Sequence, residues 1–440
     1  MPGDLHVGRT SRENGFTVSR NATSLRHPHM HPTLHDMDPR PAHSRLAAFL
    51  LLIAAGCGAR EPDRPLTAVT VVVDTVDGVE HVRSAGEAPR WTLEPVLRLG
   101  SGGGMEAPAP DEFAWVSSVA LGPDGLLYVS DMQGRRIVAF DTTGALRATI
   151  GRSGRGPGEF GEVFSIAWMG DTLLAFDPAN GRVGLFSRTG AWIGSWFATG
   201  ARLSASPAMV RLYQVGPHEV YEWMYRAGAD GLDAIWRRHT SAGASDEWLQ
   251  FGPRPPASIM GKIVCNLRST YWWFDHPYAP RGFEHPAPGN RAWVATSDAY
   301  RIALRDSAGD TVRVVERTVE PPPLPDDEWA RTADRFARWI ETKGAARCDA
   351  RSVERPRSKP YFESLMVDLQ GRLWVERNLE RGTRWEIFDD AGWLVGAVDG
   401  FGHYREGTVP WLGAAHVAWV SRDSLEVPHV HLARLRTGTR

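Results

Sequence analysis

Cysteine is scarce, charge is balanced, and no apolar run is long enough to cross a membrane. Three cysteines among 440 residues exclude a disulfide-built mini-domain and a cysteine-clustered zinc module. A formal charge of -2 sets up no field to hold a polyanion, so nucleic acid is not an expected partner. No G-K-S/T, G-x-S-x-G or H-E-x-x-H occurs, which removes the phosphate loop, the nucleophile elbow and the zincin helix. GSGGGM, from Gly100, fails the dinucleotide fingerprint at Met105, and the seven residues GRGPGEF, 154–160, do not contain it. Both stretches read as connections between strands, where glycine and Pro157 let the chain turn sharply.

The first 36 residues carry no apolar period and are expected to be an untranslated or disordered leader, with a natural start at Met30 or Met37. From Met37 the pattern changes. Arg40 and Arg45 precede an apolar run at 46–55, about half of the 20 or so residues a spanning helix needs, so the run is the h-region of a signal peptide. Residues 37–57 resemble a bacterial lipoprotein signal ending at Cys57, and the resemblance implies lipidation of Cys57 and membrane attachment through that lipid. Gly58 stands where Asp resembles an inner-membrane retention signal, so the outer membrane is the expected location. A plain secretory signal is the alternative. Residues 58–89 read as a linker with N-terminal strands. Cys265 and Cys348 are a candidate disulfide in an oxidising compartment, or two separate buried thiols.

Self-similarity organises the rest. DGLLYVSDMQGRRIVAFDTTGALRATIG from Asp124 aligns with GDTLLAFDPANGRVGLFSRTGAWIGSW from Gly170: Phe140 and Phe186, Asp131 and Asp177, Gly144 and Gly190 are each 46 apart. Copies recur from Gln370 and, more worn, from Arg291. All four place Arg eight residues before a turn Gly: Arg136, Arg182, Arg301 and Arg384. Each unit reads as short β-branched and aromatic runs bounded by Gly, Asp and Pro, which are antiparallel strands joined by tight turns. Four strands in about 46 residues is the arithmetic of a propeller blade. GRGPGEF with IAW, LLAFDPANGRVGLF and TGAWIGSW resembles the NHL repeat of six-bladed propellers, and the whole chain is similar to bacterial propeller lipoproteins. The expected fold is all-β, a six-bladed propeller over 90–437. RWTLEPVLRLG from Arg90 supplies the strand missing from the last blade, so that the chain ends close the ring. A seven-bladed ring is the runner-up.

Insertions are expected at about 253–288, too rich in proline for a central strand, and at about 319–358. In the second, Asp326 can cap a helix whose Trp329, Ala333, Phe336 and Ile340 share one face, with Gly344 as its stop. That helix is expected to lie across one face of the ring. The repeated Arg is expected to pair with a turn carboxylate such as Asp131 or Asp177. Trp168, Trp374, Trp385 and Trp419 read as interblade core, whereas Trp272 and Trp273 form a candidate sugar or peptide platform.

Metal candidates follow from residue type. His429 and His431 share a strand face; His276 and His285 accompany Asp275 and Glu284. Glu162, Glu363 and His416 fall near predicted openings of innermost strands, where six-bladed lactonases and related hydrolases place calcium ligands. Those enzymes also use Asn, which these strands lack. The expected function is therefore a non-catalytic binding or scaffold module of the cell envelope, without a cofactor, presenting one propeller face to a protein or small ligand. A calcium-type hydrolase, lactonase or lyase acting in the central channel is the alternative, and carbohydrate binding is a second.

Overall fold

The computed structural model describes residues 69–100, 109–197, 211–228, 231–240, 243–251, 262–267, 270–275, 278–343, 355–401 and 408–438. Its strands begin with β1 (Thr70–Val76), β2 (Val79–Ala85) and β3 (Thr92–Leu99). The first blade is β4 (Val116–Leu121), β5 (Leu127–Asp131), β6 (Arg136–Phe140) and β7 (Leu146–Ile150). The second is β8 (Ser165–Met169), β9 (Thr172–Asp177), β10 (Arg182–Ser187) and β11 (Trp192–Phe197). The third is β12 (Arg211–Gly216), β13 (Glu219–Gly228), β14 (Gly231–Thr240) and β15 (Gly243–Leu249), followed by a hairpin of β16 (Lys262–Leu267) and β17 (Thr270–Asp275). The fourth is β18 (Gly282–Ala287), β19 (Arg291–Thr296), β20 (Arg301–Arg305) and β21 (Thr311–Arg317), followed by helix α1 (Asp326–Lys343). The fifth is β22 (Phe362–Val367), β23 (Leu373–Asn378), β24 (Thr383–Phe388) and β25 (Leu394–Val398). The sixth holds β26 (Trp411–Leu412), β27 (His416–Arg422) and β28 (Pro428–Arg436).

The result is a six-bladed propeller of antiparallel sheets. β3 pairs with β28 and completes the sixth blade, so the chain ends close the ring as the sequence implies. Each sheet presents apolar side chains to both neighbours, which stacking buries. Trp168 meets Tyr128 edge-on at 4.9 Å between the second and first blades. Trp374, Trp385 and Phe401 pack with the half-buried Trp419 between the fifth and sixth. Trp168, Trp374 and Trp385 are each at most 2% exposed, so these residues are interblade core.

Three expectations need correction. The segment 253–288 is not wholly an insertion, because β18 at its end is the innermost strand of the fourth blade. Pro286 is tolerated there since an innermost strand is an edge, and the missing amide faces the channel rather than a neighbouring strand. His416 does not open an innermost strand: β26, only two residues long, precedes it, and His416 begins the second strand of that blade. Asp326 is the first helical residue rather than the cap. The amide of Trp329 donates to the carbonyl of Pro325, and the Asp326 carboxylate pairs instead with Arg355. Of the helix face, the packing of Trp329 against Tyr278 is seen at 6.5 Å, while Gly344 lies outside the described residues.

One arrangement has no repeat signal at all. β1 and β2 form a hairpin, and β2 lies parallel to β21, extending the fourth blade to six strands.

Candidate functional site

The crossovers between blades all leave from one face of the ring, and both the β16–β17 hairpin and α1 arise from crossovers on that face. The crossover from the first to the second blade shows how such a turn is held. The Phe160 amide donates to the Arg152 carbonyl at 2.7 Å and the Gly154 amide to the Phe160 carbonyl at 3.0 Å. Arg182 donates to the carbonyls of Gly156 and Glu159, and Glu159 accepts from the Gly156 amide. Gly151 has φ +79°, and a Cβ there would sit 2.2 Å from the Phe160 ring. Phe160 is buried between the blades, and the half-buried Phe164 packs between the second and third. Gly156, Gly158 and Gly161 do complete the G-x-G-x-x-G spacing once Gly161 is counted. The segment nevertheless joins two strands, and its bonded amides point inward, so it is no phosphate cradle.

The repeated arginines follow two patterns. Arg136 pairs with Asp131 at 3.1 Å, and Arg182 lies 3.9 Å from Asp177; Arg301 instead pairs with Glu316 and Arg384 with Asp399, carboxylates on or beyond outermost strands. Asp177 is buried and accepts from the amides of Gly161, Glu162 and Asn180. Asp177→Ala would strand these donors, and a loss of about 1–3 kcal/mol is expected in denaturant unfolding. A loss below about 0.5 kcal/mol would show that water replaces the carboxylate.

At the centre, the innermost strands enclose a cavity of about 50 Å³ lined by β4, β8, β12, β18, β22 and β26. Inner-edge amides of the second and third blades are satisfied by side chains of neighbouring blades. Ser118 Oγ accepts from the Ile166 amide and Ser165 Oγ from the Leu212 amide, both at 3.2 Å. Gln214 Oε1 accepts from the Trp168 amide at 3.3 Å and its Nε2 donates to the Gly216 carbonyl. The opposite wall is apolar: Met366, Val367, Val409, Pro410 and Trp411.

His285, on β18, reaches this lining and is 5% exposed. Its ring meets Tyr213 edge-on at 5.1 Å. Nδ1 lies 2.8 Å from the Pro286 carbonyl; a carbonyl only accepts, so Nδ1 carries the proton. Burial pushes the imidazole down to about 4, against the opposing pull of the Pro286 carbonyl. The ring is therefore neutral at pH 7, and Nε2 is an acceptor. Arg211, on the same lining, places its guanidinium 5.2 Å above the Phe164 ring.

The residues expected to gather at a metal are held apart. Glu363 accepts from Asn378 Nδ2, and the Glu162 amide is bound by Asp177, both on the crossover face. His416 lies at the opposite end of the ring, lowered by burial and by Arg434. His429 is bonded to Asp423 and His431 to Ser421, and His431 stacks on Trp419 at 4.8 Å. Glu284 accepts from the Trp236 indole N–H, whereas His285 bonds the Pro286 carbonyl; His276 lies outside the described residues. Among the described residues no three His, Cys, Asp or Glu side chains come together as a metal set. Trp272 and Trp273 are consecutive on β17, paired in register with Cys265 and Val264. Cys57 and Cys348 lie outside the described residues. His285 was singled out in sequence as a metal candidate within an insertion; only the strand around it reveals a channel position.

No family model matches the chain, and no curated protein matches it. Solved structures of similar fold include a candidate exported protein of Bacteroides fragilis NCTC 9343, 13% identical over 79% of this chain and 96% of that one, with a TM-score of 0.40. A gluconolactonase from Xanthomonas campestris is 12% identical over 79% of this chain and 98% of that one, with a TM-score of 0.37. Virginiamycin B lyase from Staphylococcus aureus is 10% identical over 84% of this chain and 99% of that one, with a TM-score of 0.34. At these identities the likeness is one of fold.

Proposed function

We propose that the chain is a non-catalytic binding module of the cell envelope, anchored through Cys57, that holds a small ligand in its channel and offers its crossover face to a partner. The observation that carries this reading is the state of His285. A general base at neutral pH works best with a pKa near 7, and an imidazole at about 4 is suited to accepting a hydrogen bond rather than to taking a proton. The neighbouring Ser118, Ser165 and Gln214 are engaged in joining blades, which favours a rigid recognition surface. The test is turnover. Purified protein with added calcium is expected to leave the hydrolysis rate of gluconolactone at its spontaneous value. Acceleration that is lost in Glu363→Gln would overturn the reading in favour of a channel hydrolase.

A further inference from the structure

We infer that β1 is a self-association edge, and that two copies of the chain pair antiparallel through it about a twofold axis at Val73. Three other edges of the rim are protected against such pairing. β7 carries Arg147, β3 carries Glu94, Pro95 and Arg98, and β25 is covered by the segment at 89–91, where the Ala397 amide donates to the Pro89 carbonyl and the Trp91 amide to the Ala397 carbonyl. Charge, proline and cover are the devices that blunt an edge. β1 is the last strand of a six-stranded sheet, and among the described residues nothing pairs with its outer side. It reads TVVVDTV and leaves Val72, Val73 and Val76 exposed at 52, 45 and 44%. Its one charge, Asp74, is turned back to Arg83 at 2.9 Å.

The backbone phase fits a second copy. Asp77 and Gly78 have positive φ, at 52 and 81°, and form a two-residue type I′ turn between Val76 and Val79. The pair flanking such a turn is hydrogen-bonded, so Thr70, Val72, Asp74 and Val76 bond β2 while Val71, Val73 and Thr75 aim amide and carbonyl outward. The Ser84 carbonyl, opposite Val71, accepts from the Thr318 amide on the far side of β2, which keeps the same phase. Centred on Val73, a second β1 sets Val71 against Thr75 in both directions and Val73 against itself, about six main-chain hydrogen bonds in all. Charge selects this register. It places each Asp74 beside the other copy's Val72, with the other copy's Arg83 one strand further, whereas an axis one residue nearer the turn would set the two carboxylates directly opposite each other. The rim leaves room: β1 stands two strand widths, roughly 9–10 Å, outside β21, so a second ring meets this edge before it meets the neighbouring blades. One edge per chain closes the assembly at two.

Light scattering on the wild-type chain tests the pairing. A strand pair of this length buries less than the roughly 1,200 Å² of a stable interface, so the mass is expected to rise from one chain at about 5 μM towards two at about 200 μM, a dissociation constant on the order of 30 μM. Val73→Pro removes only an outward amide, which an edge strand tolerates, and Val73→Lys adds a charge to the edge. Both variants are expected to keep the mass of one chain at the higher concentration, with the melting curve of the wild type. Val73→Cys is expected to give a linked dimer on oxidation, above the level of the wild type treated in parallel, because the axis brings the two Cα atoms to about 5.5 Å. Val76→Cys, about 20 Å from its counterpart in this register, is expected to give none above that level. A wild-type mass of one chain at both concentrations overturns the proposal, as do dimers that persist in both Val73→Pro and Val73→Lys, a mass that grows past two chains, or equal linking at 73 and 76.

Discussion

Glu386→Ala is expected to lower the unfolding free energy by about 3–5 kcal/mol, the scale for breaking a buried ion pair from one side. Glu386 lies where the fourth and fifth blades meet the N-terminal hairpin. Its side chain is 2% exposed and that of Arg317 is 0% exposed. Arg317 donates to both carboxylate oxygens at 3.1 Å, Arg377 adds a third bond at 3.0 Å, and the Tyr300 hydroxyl a fourth at 2.7 Å. Arg317 also donates to the carbonyls of Ser84 and Gly86. Truncation leaves two arginines facing each other in a dry joint, which is why the loss exceeds that of a surface pair. Glu87, more than half exposed opposite Arg384, serves as the control, and Glu87→Gln is expected to change stability by less than about 1 kcal/mol. Chemical denaturation reads both. A Glu386→Ala loss no larger than that of the control would show the network to be dispensable.

The same network sets an acid limit. Burial alone would lift the Glu386 carboxyl, but Arg317, Arg377 and the Tyr300 hydroxyl hold it below its ordinary 4.5. A depressed folded value means that the stabilisation is complete above the unfolded value and is lost as pH falls through the folded one. Wild-type stability is therefore expected to decline below pH 4.5, more steeply than that of Glu386→Gln.

Replacing residues 90–100 with a Gly/Ser chain of equal length is expected to abolish the cooperative unfolding transition, a loss on the order of the whole 5–15 kcal/mol of a folded domain. β3 pairs with β28 from Leu99 opposite Val430 to Thr92 opposite Arg436. Trp91, ahead of it, is 6% exposed, and its amide donates to the Ala397 carbonyl at 2.7 Å, so the segment reaches the fifth blade as well as the sixth. Without it β28 becomes an open edge and the apolar face between the sixth and first blades is uncovered. Gel filtration is expected to show aggregate, and a peptide of residues 90–100 added during refolding is expected to restore monomer. Monomer with an unchanged melting curve in the peptide's absence would overturn the closure role.

Much of the ring was legible because blade geometry repeats its demands. The turn Gly at 144, 190, 309 and 392 all have positive φ, and the Arg eight residues earlier marks the third strand in each case. Where the demands relax, legibility fails. β26 is too short to show alternation. β18 carries Pro286, which reads as a breaker unless the strand is known to be an edge. β1 and β2 form part of no repeat, since an added outer strand needs only one matching neighbour. The channel was hidden for another reason: Ser118, Ser165, Gln214 and His285 lie on four different strands, and no spacing in the chain announces their convergence.

The N-terminal hairpin and β3 together bind the last half of the ring from outside, and this fixes an order in time. Arg83 bonds Glu316 across 233 residues, and Arg436 bonds Glu94 across 342. β2 and β3 therefore wait for partners synthesised more than 200 residues later. Contacts of such separation form slowly, and the open edge of β2, which waits for β21, and the whole of β3, which waits for β28, are open to wrong pairing meanwhile. A chain built this way closes its ring only when β28 reaches β3, which places the burden of protection on the interval before β28 arrives.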